Sequence, residues 1–168
     1  MNADLIAQIR TYIGDSRRGL PEEVFRLVSE LTPLVNVDLL IKDSSGRTLL
    51  TWRDDEFYGP GWHIPGGILR FKERALDRLA KVAELELGAQ ISSNLVPLLI
   101  TEIMHPSRDV RGHFISLLYE CAITSGPLGE CYSQNGQPKN GQWAWFSEAP
   151  SQLIHQHKVY KPFIQNDC

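Results

Sequence analysis

The feature that most constrains the fold is a segment in which two glycine turns bracket one amphipathic helix. Apolar residues recur on one helical stripe, at Leu76, Leu79, Ala80, Ala83 and Leu87. This spacing predicts a helix over residues 73–87 with one buried side. The turn Pro65-Gly66-Gly67 precedes the helix, and Gly88 follows it, where glycine commonly ends a helix. A chain with this segment must pack the stripe against a second layer of structure.

The end of that helix carries the residue best suited to chemistry. Glu86 lies one turn after Val82, so the two side chains are neighbours on the helix surface. A carboxylate is a hard oxygen donor of the kind that Mg²⁺ binds, with phosphate oxygens as further ligands. The glycines at positions 66 and 67 let backbone carbonyls approach the same ligand closely. The segment therefore favours a site for one metal ion, completed by a diphosphate.

The rest of the chain alternates between the two kinds of element. Helical patterns cover residues 4–13, about 21–31 and about 149–157, and strand patterns cover residues 34–41, 47–53, 95–103, 114–123 and 143–146. The turn Asp43-Ser44-Ser45-Gly46 predicts that the first two strands form a hairpin. Residues 124–142 form a long polar stretch typical of a lid or binding loop. The order of elements predicts an α/β fold with helices packed on a mixed sheet.

The first two helices differ from the rest because they are too short to hold a core alone. We expect residues 1–31 to be an N-terminal helical extension and residues 32–168 to form one domain. The extension would pack on that domain or on a second copy of the chain, as a homodimer.

Composition excludes several classes of protein. The chain has 168 residues, of which 42% are hydrophobic and 22% charged, as in one globular domain. Its net charge of −3 argues against nucleic acid or an acidic membrane as the main partner. Its three cysteines show no CxxC spacing, which argues against a disulfide framework. The chain has no apolar run of membrane-spanning length and no signal-peptide pattern, so we expect a cytoplasmic protein.

The helical segment resembles the Nudix box. That motif is a glycine, five residues, a glutamate, seven residues, then an arginine-led stretch with three further glutamates and a glycine. The four matching positions are Gly67, Glu73, Glu86 and Gly88. Lys81 stands where the family has arginine, and Val82 and Leu85 stand where it has glutamates. The resemblance implies the Nudix α/β/α sandwich with a mixed β-sheet.

Within that family, the chain looks similar to the GDP-mannose mannosyl hydrolase branch, which also lacks two of the glutamates. The likeness extends over roughly residues 32–163 and includes Gly61-Trp62-x-x-Pro65-Gly66-Gly67. It implies Mg²⁺-dependent hydrolysis of a nucleoside-diphosphate sugar to nucleoside diphosphate and free sugar, with Mn²⁺ as another possible ion. In that branch water attacks the anomeric carbon of the sugar.

The resemblance also implies roles for particular residues. It gives the Gly66 carbonyl and Glu86 as metal ligands, and Arg53 as a substrate-binding residue. It implies two catalytic residues, Asp38 in contact with the substrate and Lys81 where an arginine stabilises the leaving diphosphate.

At two places the family residue is replaced. Ile68 stands where the branch has an arginine, so Arg70 is the expected substitute in substrate binding. Lys139 and Asn140 stand where the branch has its general base. The base would then come from another loop, and the candidates are His105, His113 and Glu130.

Two other functions stay open at this stage. One is a Nudix pyrophosphohydrolase that cleaves a nucleoside diphosphate derivative at phosphorus. The other is a non-catalytic nucleotide-sugar binding module, which the missing glutamates favour. The aromatic residues Phe57, Tyr58 and Trp62 flank the glycine loop and either stack on a base or pack in the core.

Overall fold

The computed structural model describes residues 3–127, 129–132 and 136–165. The helices are α1 (Ala3–Ile13), α2 (Glu22–Leu31), α3 (Ala75–Val82) and α4 (Lys161–Ile164). The strands are β1 (Leu34–Ile41), β2 (Thr48–Arg53), β3 (Gly61–His63), β4 (Gly66–Ile68), β5 (Gln90–Ser93), β6 (Leu99–Met104), β7 (His113–Ser125) and β8 (Trp143–Phe146). In this part of the chain, none of the helices has the length and apolar character needed to cross a membrane.

The strands form two sheets. The larger has five strands, in the order β4-β1-β7-β5, with β6 also paired to β7. The pairing of β1 with β7 is parallel and the other pairings in this sheet are antiparallel. The smaller sheet has the order β3-β2-β8 and is antiparallel. The predicted α/β architecture with a mixed sheet is therefore confirmed.

Strand β1 lies between two hydrophobic cores, and its side chains alternate between them. Val37, Leu39 and Ile41 pack into the core that contains α3. Leu40 packs into the other core, with Tyr160 and Ile164 from the C-terminal segment. Because successive side chains of a strand point to opposite faces, Asp38 shares the face of Leu40. This register places a carboxylate between the sheet and the C-terminal segment.

Helix α3 has the predicted apolar stripe, and its end is wider than an α-helix. Leu79, Val82, Ala83 and Leu87 are buried in the first core. Residues Ala83–Leu87 form a π-helical turn, and Gly88 closes it in the left-handed conformation, with φ of 60°. Such turns in a helix are often found at functional sites because they redirect side chains. Here the turn carries Glu86.

Two expectations about elements are wrong, and three short strands were not predicted. β1 and β2 do not form a hairpin, since they belong to different sheets and share one isolated bridge between Lys42 and Thr48. The last helix is not at 149–157, because a 3-10 helix covers His155–Tyr160 and α4 follows it. The short strands β3, β4 and β5 were not predicted, because the first two lie in a glycine-rich segment and the sequence of β5, Gln-Ile-Ser-Ser, is mostly polar.

The N-terminal extension contacts the domain through α2. Ser29 is buried, and its hydroxyl accepts a hydrogen bond from the backbone N–H of Arg111 at 3.2 Å. The Phe25 ring lies 5.5 Å from the Arg111 guanidinium. The domain boundary at residue 31 and the homodimer stay predictions. Cys121 and Cys131 carry free thiols, and Cys168 lies outside the described residues.

Candidate active site

A cavity of about 470 Å³ opens between the two sheets and the end of the central helix. Its walls come from strands β1 to β4, the π turn, the loop after β6 and the C-terminal segment. The polar groups that line it include Asn36, Asp38, Arg53, Asp55, His63, Glu86, Arg111 and His157. Four predicted site residues, Asp38, Arg53, Gly66 and Glu86, therefore meet in one place.

Glu86 is the carboxylate in this cavity with uncommitted oxygens. Its side chain is 34% exposed and makes no hydrogen bond within the described part of the chain. Burial raises its pKa to about 7; nearby Arg53 opposes the rise and Asp38 adds to it. Glu86 thus exchanges protons near neutral pH and is free to bind a ligand.

His63 lies beside Glu86, with its Nε2 atom 4.0 Å from the Glu86 Oε2 atom. Its Nδ1 atom lies 2.9 Å from the carbonyl oxygen of Thr51, so Nδ1–H donates there. That hydrogen bond assigns the tautomer and leaves Nε2 unprotonated, with the Thr51 hydroxyl 3.3 Å and the Glu86 carboxylate 4.0 Å away. Burial lowers the pKa of His63 to about 3, and the neighbouring His157 ring and Arg53 guanidinium act in the same direction. The ring is therefore neutral at neutral pH.

His157 lies on the other side of His63, with ring centroids 5.8 Å apart. The backbone N–H of Ile64 donates to its Nδ1 atom at 3.1 Å. Accepting that bond requires an unprotonated Nδ1, and burial accordingly lowers the pKa of His157 to about 3. His157 thus ties the C-terminal segment to the strand that carries His63.

Asp38 is 1% exposed and its oxygens are already occupied. Its Oδ1 accepts from the Asn36 amide at 2.9 Å, and its Oδ2 accepts from the Ser116 hydroxyl at 2.5 Å. The Tyr160 hydroxyl donates to Oδ2 at 2.6 Å. Burial raises the pKa of Asp38 to about 6, and these three hydrogen bonds oppose the rise. The carboxyl group therefore holds β1, β7 and the C-terminal segment together at the cavity wall.

The two glycines of β4 are required by close packing. A Cβ atom at Gly66 would lie 2.2 Å from the Asp38 Oδ1 atom, and one at Gly67 would lie 2.7 Å from the Val82 Cγ2 atom. Side chains at these positions would push β4 away from β1 and from α3. The glycine pair thus lets the strand lie directly against both neighbours and line the cavity.

Arg53 lies at the end of β2 and is partly neutralised. Its Nε donates to the Asp55 carboxylate at 2.5 Å, and its guanidinium lies 4.7 Å from the centre of the Tyr58 ring. The Asp55 carboxylate also accepts from the backbone N–H groups of Phe57 and Tyr58. The loop of residues 54–60 therefore holds Arg53 at the cavity, and the guanidinium N–H groups that do not contact Asp55 stay available to a ligand.

Three other predicted site residues do not line this cavity. Lys81 is exposed on α3, and Arg70 is exposed near Gly19. His105 lines a second cavity of about 490 Å³ beyond Tyr58, and the Ser107 hydroxyl lies 3.2 Å from its Nδ1 atom. Their predicted roles would need a movement of these segments.

The alternative bases are also elsewhere. His113 pairs with Glu102 at 2.8 Å, and Glu130 is exposed. Asn140 lines the cavity, where its Oδ1 accepts from the backbone N–H of Asp54.

The motif glutamate at the helix start has a structural role. Glu73 accepts from the Arg78 guanidinium at 2.6 Å and from the backbone N–H of Arg70. Trp62 packs in the core, with its ring 5.3 Å from that of Trp52, whereas Tyr58 lines the cavity.

The donor set can be compared with the divalent ion that the fold family implies. Asp38 and Asp55 are committed to the hydrogen bonds above, which leaves Glu86 and the backbone of Gly66. Within the described ranges, no group of three or more His, Cys, Asp and Glu side chains could hold a metal ion. The residues fit one cation shared with a phosphate-bearing ligand, and they do not fit a cation held by the protein alone.

His63, His157 and Arg111 were missed from the sequence. His63 stands inside the segment Gly61-Trp62-His63-Ile64-Pro65, two positions before a functional turn, and this proximity was the available signal. His157 and Arg111 reach the cavity from segments far away in sequence, so only the three-dimensional fold brings them there.

No family model matches the sequence. The low-salt glycan biosynthesis protein Agl8 of Haloferax volcanii is 30% identical over 124 residues, which are 71% of this chain and 78% of that protein.

Solved structures share the fold. A possible asymmetric diadenosine tetraphosphate hydrolase from Jonesia denitrificans is 26% identical, with a TM-score of 0.53 over 69% of this chain and 77% of that one. A UDP-X diphosphatase is 16% identical, with a TM-score of 0.58 over 96% of this chain and 74% of that one. A NUDIX hydrolase from Burkholderia pseudomallei is 19% identical, with a TM-score of 0.58 over 80% of this chain and 99% of that one. The chain therefore has the Nudix fold and belongs to the same protein family as Agl8.

Proposed function

We propose that the protein hydrolyses a nucleoside-diphosphate sugar, similar to GDP-mannose, to a nucleoside diphosphate and a free sugar. The observation that carries this proposal is the polarity of the cavity. Glu86 and His63 lie together at the end of the central helix, and Arg53 also lines the cavity. A negatively charged diphosphate fits beside the arginine, while a carboxylate and a neutral imidazole suit the handling of water.

One comparison supports the substrate class. Agl8 is named for glycan biosynthesis, and glycans are built from activated sugars. The UDP-X diphosphatase shares only the fold, and its name describes the alternative reaction, cleavage of a diphosphate.

In this mechanism, Arg53 binds the diphosphate and His63 accepts the proton of the attacking water at Nε2. The water oxygen forms a bond to the anomeric carbon, and the bond between that carbon and the diphosphate oxygen breaks. The electron pair of the broken bond leaves on the diphosphate. Glu86 and the Gly66 carbonyl would hold Mg²⁺ or Mn²⁺, whose charge offsets that of the diphosphate.

Asp38 and Gly66 support this chemistry through packing. Asp38 fixes the register of β1 against β7, and Gly66 leaves space for that carboxyl group. We therefore assign Asp38 a positioning role, with its effect passing through the strand rather than through contact with substrate.

Attack at carbon is favoured over attack at phosphorus by two side chains. Val82 is buried against Gly67, and Leu85 is 77% exposed at the cavity edge. Carboxylates at these positions would bind further metal ions, which polarise a phosphorus centre. Their absence also favours the second candidate, a nucleotide-sugar binding module without turnover.

The test is a product analysis on a panel of nucleotide sugars with Mg²⁺ or Mn²⁺. We expect nucleoside diphosphate and free sugar, separated by chromatography, with His63→Gln reducing the rate by about 10²- to 10⁴-fold. His155→Gln is the matched control, because His155 is exposed and does not line this cavity. Nucleoside monophosphate and sugar phosphate would indicate attack at phosphorus, and nucleotide binding without products would indicate a binding module.

A further inference from the structure

Three arginines converge on two aromatic rings beside the cavity. The guanidinium groups of Arg53 and Arg108 each lie 4.7 Å from the centre of the Tyr58 ring. The guanidinium of Arg111 lies 4.4 Å from the centre of the Phe57 ring. Asp55 offsets the charge of Arg53, and the two remaining cations beside this short loop have an electrostatic cost that an anion would lower.

Two of these arginines carry buried donors without an acceptor. The Nε atom of Arg111 and the Nη1 atom of Arg108 are inaccessible to solvent and make no hydrogen bond within the described residues. No carboxylate of the described ranges lies within 4.0 Å of either group, whereas Arg53 has Asp55. A buried donor without a partner costs about 1–3 kcal/mol. Buried donors without an acceptor are rare in folded proteins, and a ligand that accepts these hydrogen bonds would explain them.

Arg111 is the one of the two that lines the active-site cavity, while Arg108 lines the second cavity beyond Tyr58. Its backbone is left-handed, with φ of 54°, which is uncommon for a residue other than glycine. The next residue is confined as well, because a Cβ at Gly112 would lie 2.2 Å from the Arg108 carbonyl oxygen. The tight turn therefore directs this side chain at an energetic cost.

The N-terminal extension holds this turn in place. The Ser29 hydroxyl of α2 accepts from the Arg111 backbone N–H, and the Phe25 ring lies 5.5 Å from the guanidinium. Together with Phe57, this ring places aromatic surface along the guanidinium. Arg111 as a whole is half-buried and lines the cavity, so its other N–H donors are available to a ligand there.

We propose that Arg111 binds a phosphoryl group of the diphosphate together with Arg53, and that helix α2 positions Arg111 for this contact. The inference rests on the proposed function for the identity of the ligand. It adds a substrate-binding residue from the loop after β6 and gives the N-terminal extension a part in ligand binding.

The test is calorimetric titration of the full chain, in EDTA and in Mg²⁺, with GDP, UDP, inorganic pyrophosphate and the nucleoside guanosine as probes. We expect Arg111→Met to weaken binding of each diphosphate and of pyrophosphate about 10-fold or more, as for a lost charged hydrogen bond. Guanosine binding should not change. Arg111→Lys should give an intermediate loss, since it keeps the charge but not the planar fork.

Phe25→Ala tests the positioning role. We expect it to weaken diphosphate binding by a smaller factor than Arg111→Met, and Phe25→Tyr to restore it. Arg18→Met is the matched control for Arg111→Met, because Arg18 is exposed and does not line the cavity. Thermal unfolding of each variant separates a lost contact from a lost fold.

Equal diphosphate affinity in folded Arg111→Met and wild type would overturn the inference, and so would a wild type that binds none of the diphosphate probes. Turnover with an unchanged KM in Arg111→Met would refute this inference and leave the proposed function intact. If diphosphate binding depends on Arg111 but the protein hydrolyses no nucleotide sugar, this inference would stand and the proposed function would be refuted.

Discussion

Glu86 has a free carboxylate, a raised pKa and a place at the end of a π-helical turn. We expect Glu86→Gln to lower turnover of the nucleotide sugar by about 10²-fold or more, because binding of the metal ion needs the carboxylate charge. The fold should persist, since the side chain makes no described hydrogen bond that the amide would lose. Steady-state kinetics at saturating Mg²⁺ measures the change.

The neighbouring Glu84→Gln is the control, as Glu84 is exposed on the same turn and does not line the cavity. If Glu86→Gln retained wild-type kinetics, Glu86 would not be a metal ligand.

His157 should make the protein less stable in acid. Its pKa is about 3 in the fold, against 6.5 as the ordinary value, so the folded state holds it neutral. The free energy of unfolding that the neutral His157 supports is fully present above pH 6.5 and is lost as the pH falls toward 3. The loss is about 1.4 kcal/mol per pH unit, or about 2 kcal/mol from pH 6.5 to pH 5.

The measurement is urea unfolding of wild type and His157→Asn at both pH values, where Asn retains an acceptor for the Ile64 N–H. The free-energy gap between the two proteins should narrow by about 2 kcal/mol at the lower pH. The comparison with the variant is needed because Asp38 and Glu86, whose pKa values are raised, change the stability of both proteins in the opposite direction over this pH range. A gap of constant size would show that His157 titrates normally.

At the scale of elements, the contact between β4 and α3 fixes one side of the cavity. A Cβ at Gly67 would lie 2.7 Å from the Val82 Cγ2 atom. The φ of Gly67 lies outside the left-handed range, so Gly67→Ala produces this clash without backbone strain. We expect Gly67→Ala to cost about 1–3 kcal/mol of unfolding free energy. Adding Val82→Ala removes the clashing methyl group, so the double variant should be at least about 0.5 kcal/mol more stable than the sum of the single variants predicts. Costs that simply add would mean that the two residues do not press on each other.

Local signals predicted some elements well. The apolar stripe and Gly88 located the central helix and its end, because both depend on contacts within a few residues. The hairpin was wrong although its turn exists. Whether β1 and β2 pair depends on the two separate cores that their buried side chains fill, and a turn motif does not contain that information.

The site was predictable only in part, for the same reason. Glu86 and Gly66 belong to one continuous motif, so their spacing revealed them. The tautomer of His63 is set by the Thr51 carbonyl on the neighbouring strand, and Arg111 is positioned by α2 and the loop 54–60. These contacts join segments that are distant in the sequence.

At the scale of the whole molecule, the N-terminal extension has apolar surface left over. Large apolar side chains are exposed on both of its helices, at Leu5, Tyr12, Leu27 and Leu31. Several exposed large apolar side chains on one short segment are typical of an interface. We propose a homodimer through these helices, so light scattering should give twice the 19.0 kDa chain mass.

The double variant Leu5→Glu with Leu31→Glu should be a monomer, whereas Val159→Glu, at an exposed site outside the extension, should leave the dimer intact. A wild-type monomer at high concentration would contradict the proposal.

The central claim is that this cavity directs water to the carbon of an activated sugar. The most direct measurement is hydrolysis of a GDP-sugar in ¹⁸O-labelled water with Mg²⁺, followed by mass spectrometry of both products. Attack at carbon places the label in the free sugar and leaves the nucleoside diphosphate unlabelled. Label in a phosphate-containing product, or no turnover at any Mg²⁺ concentration, would contradict it.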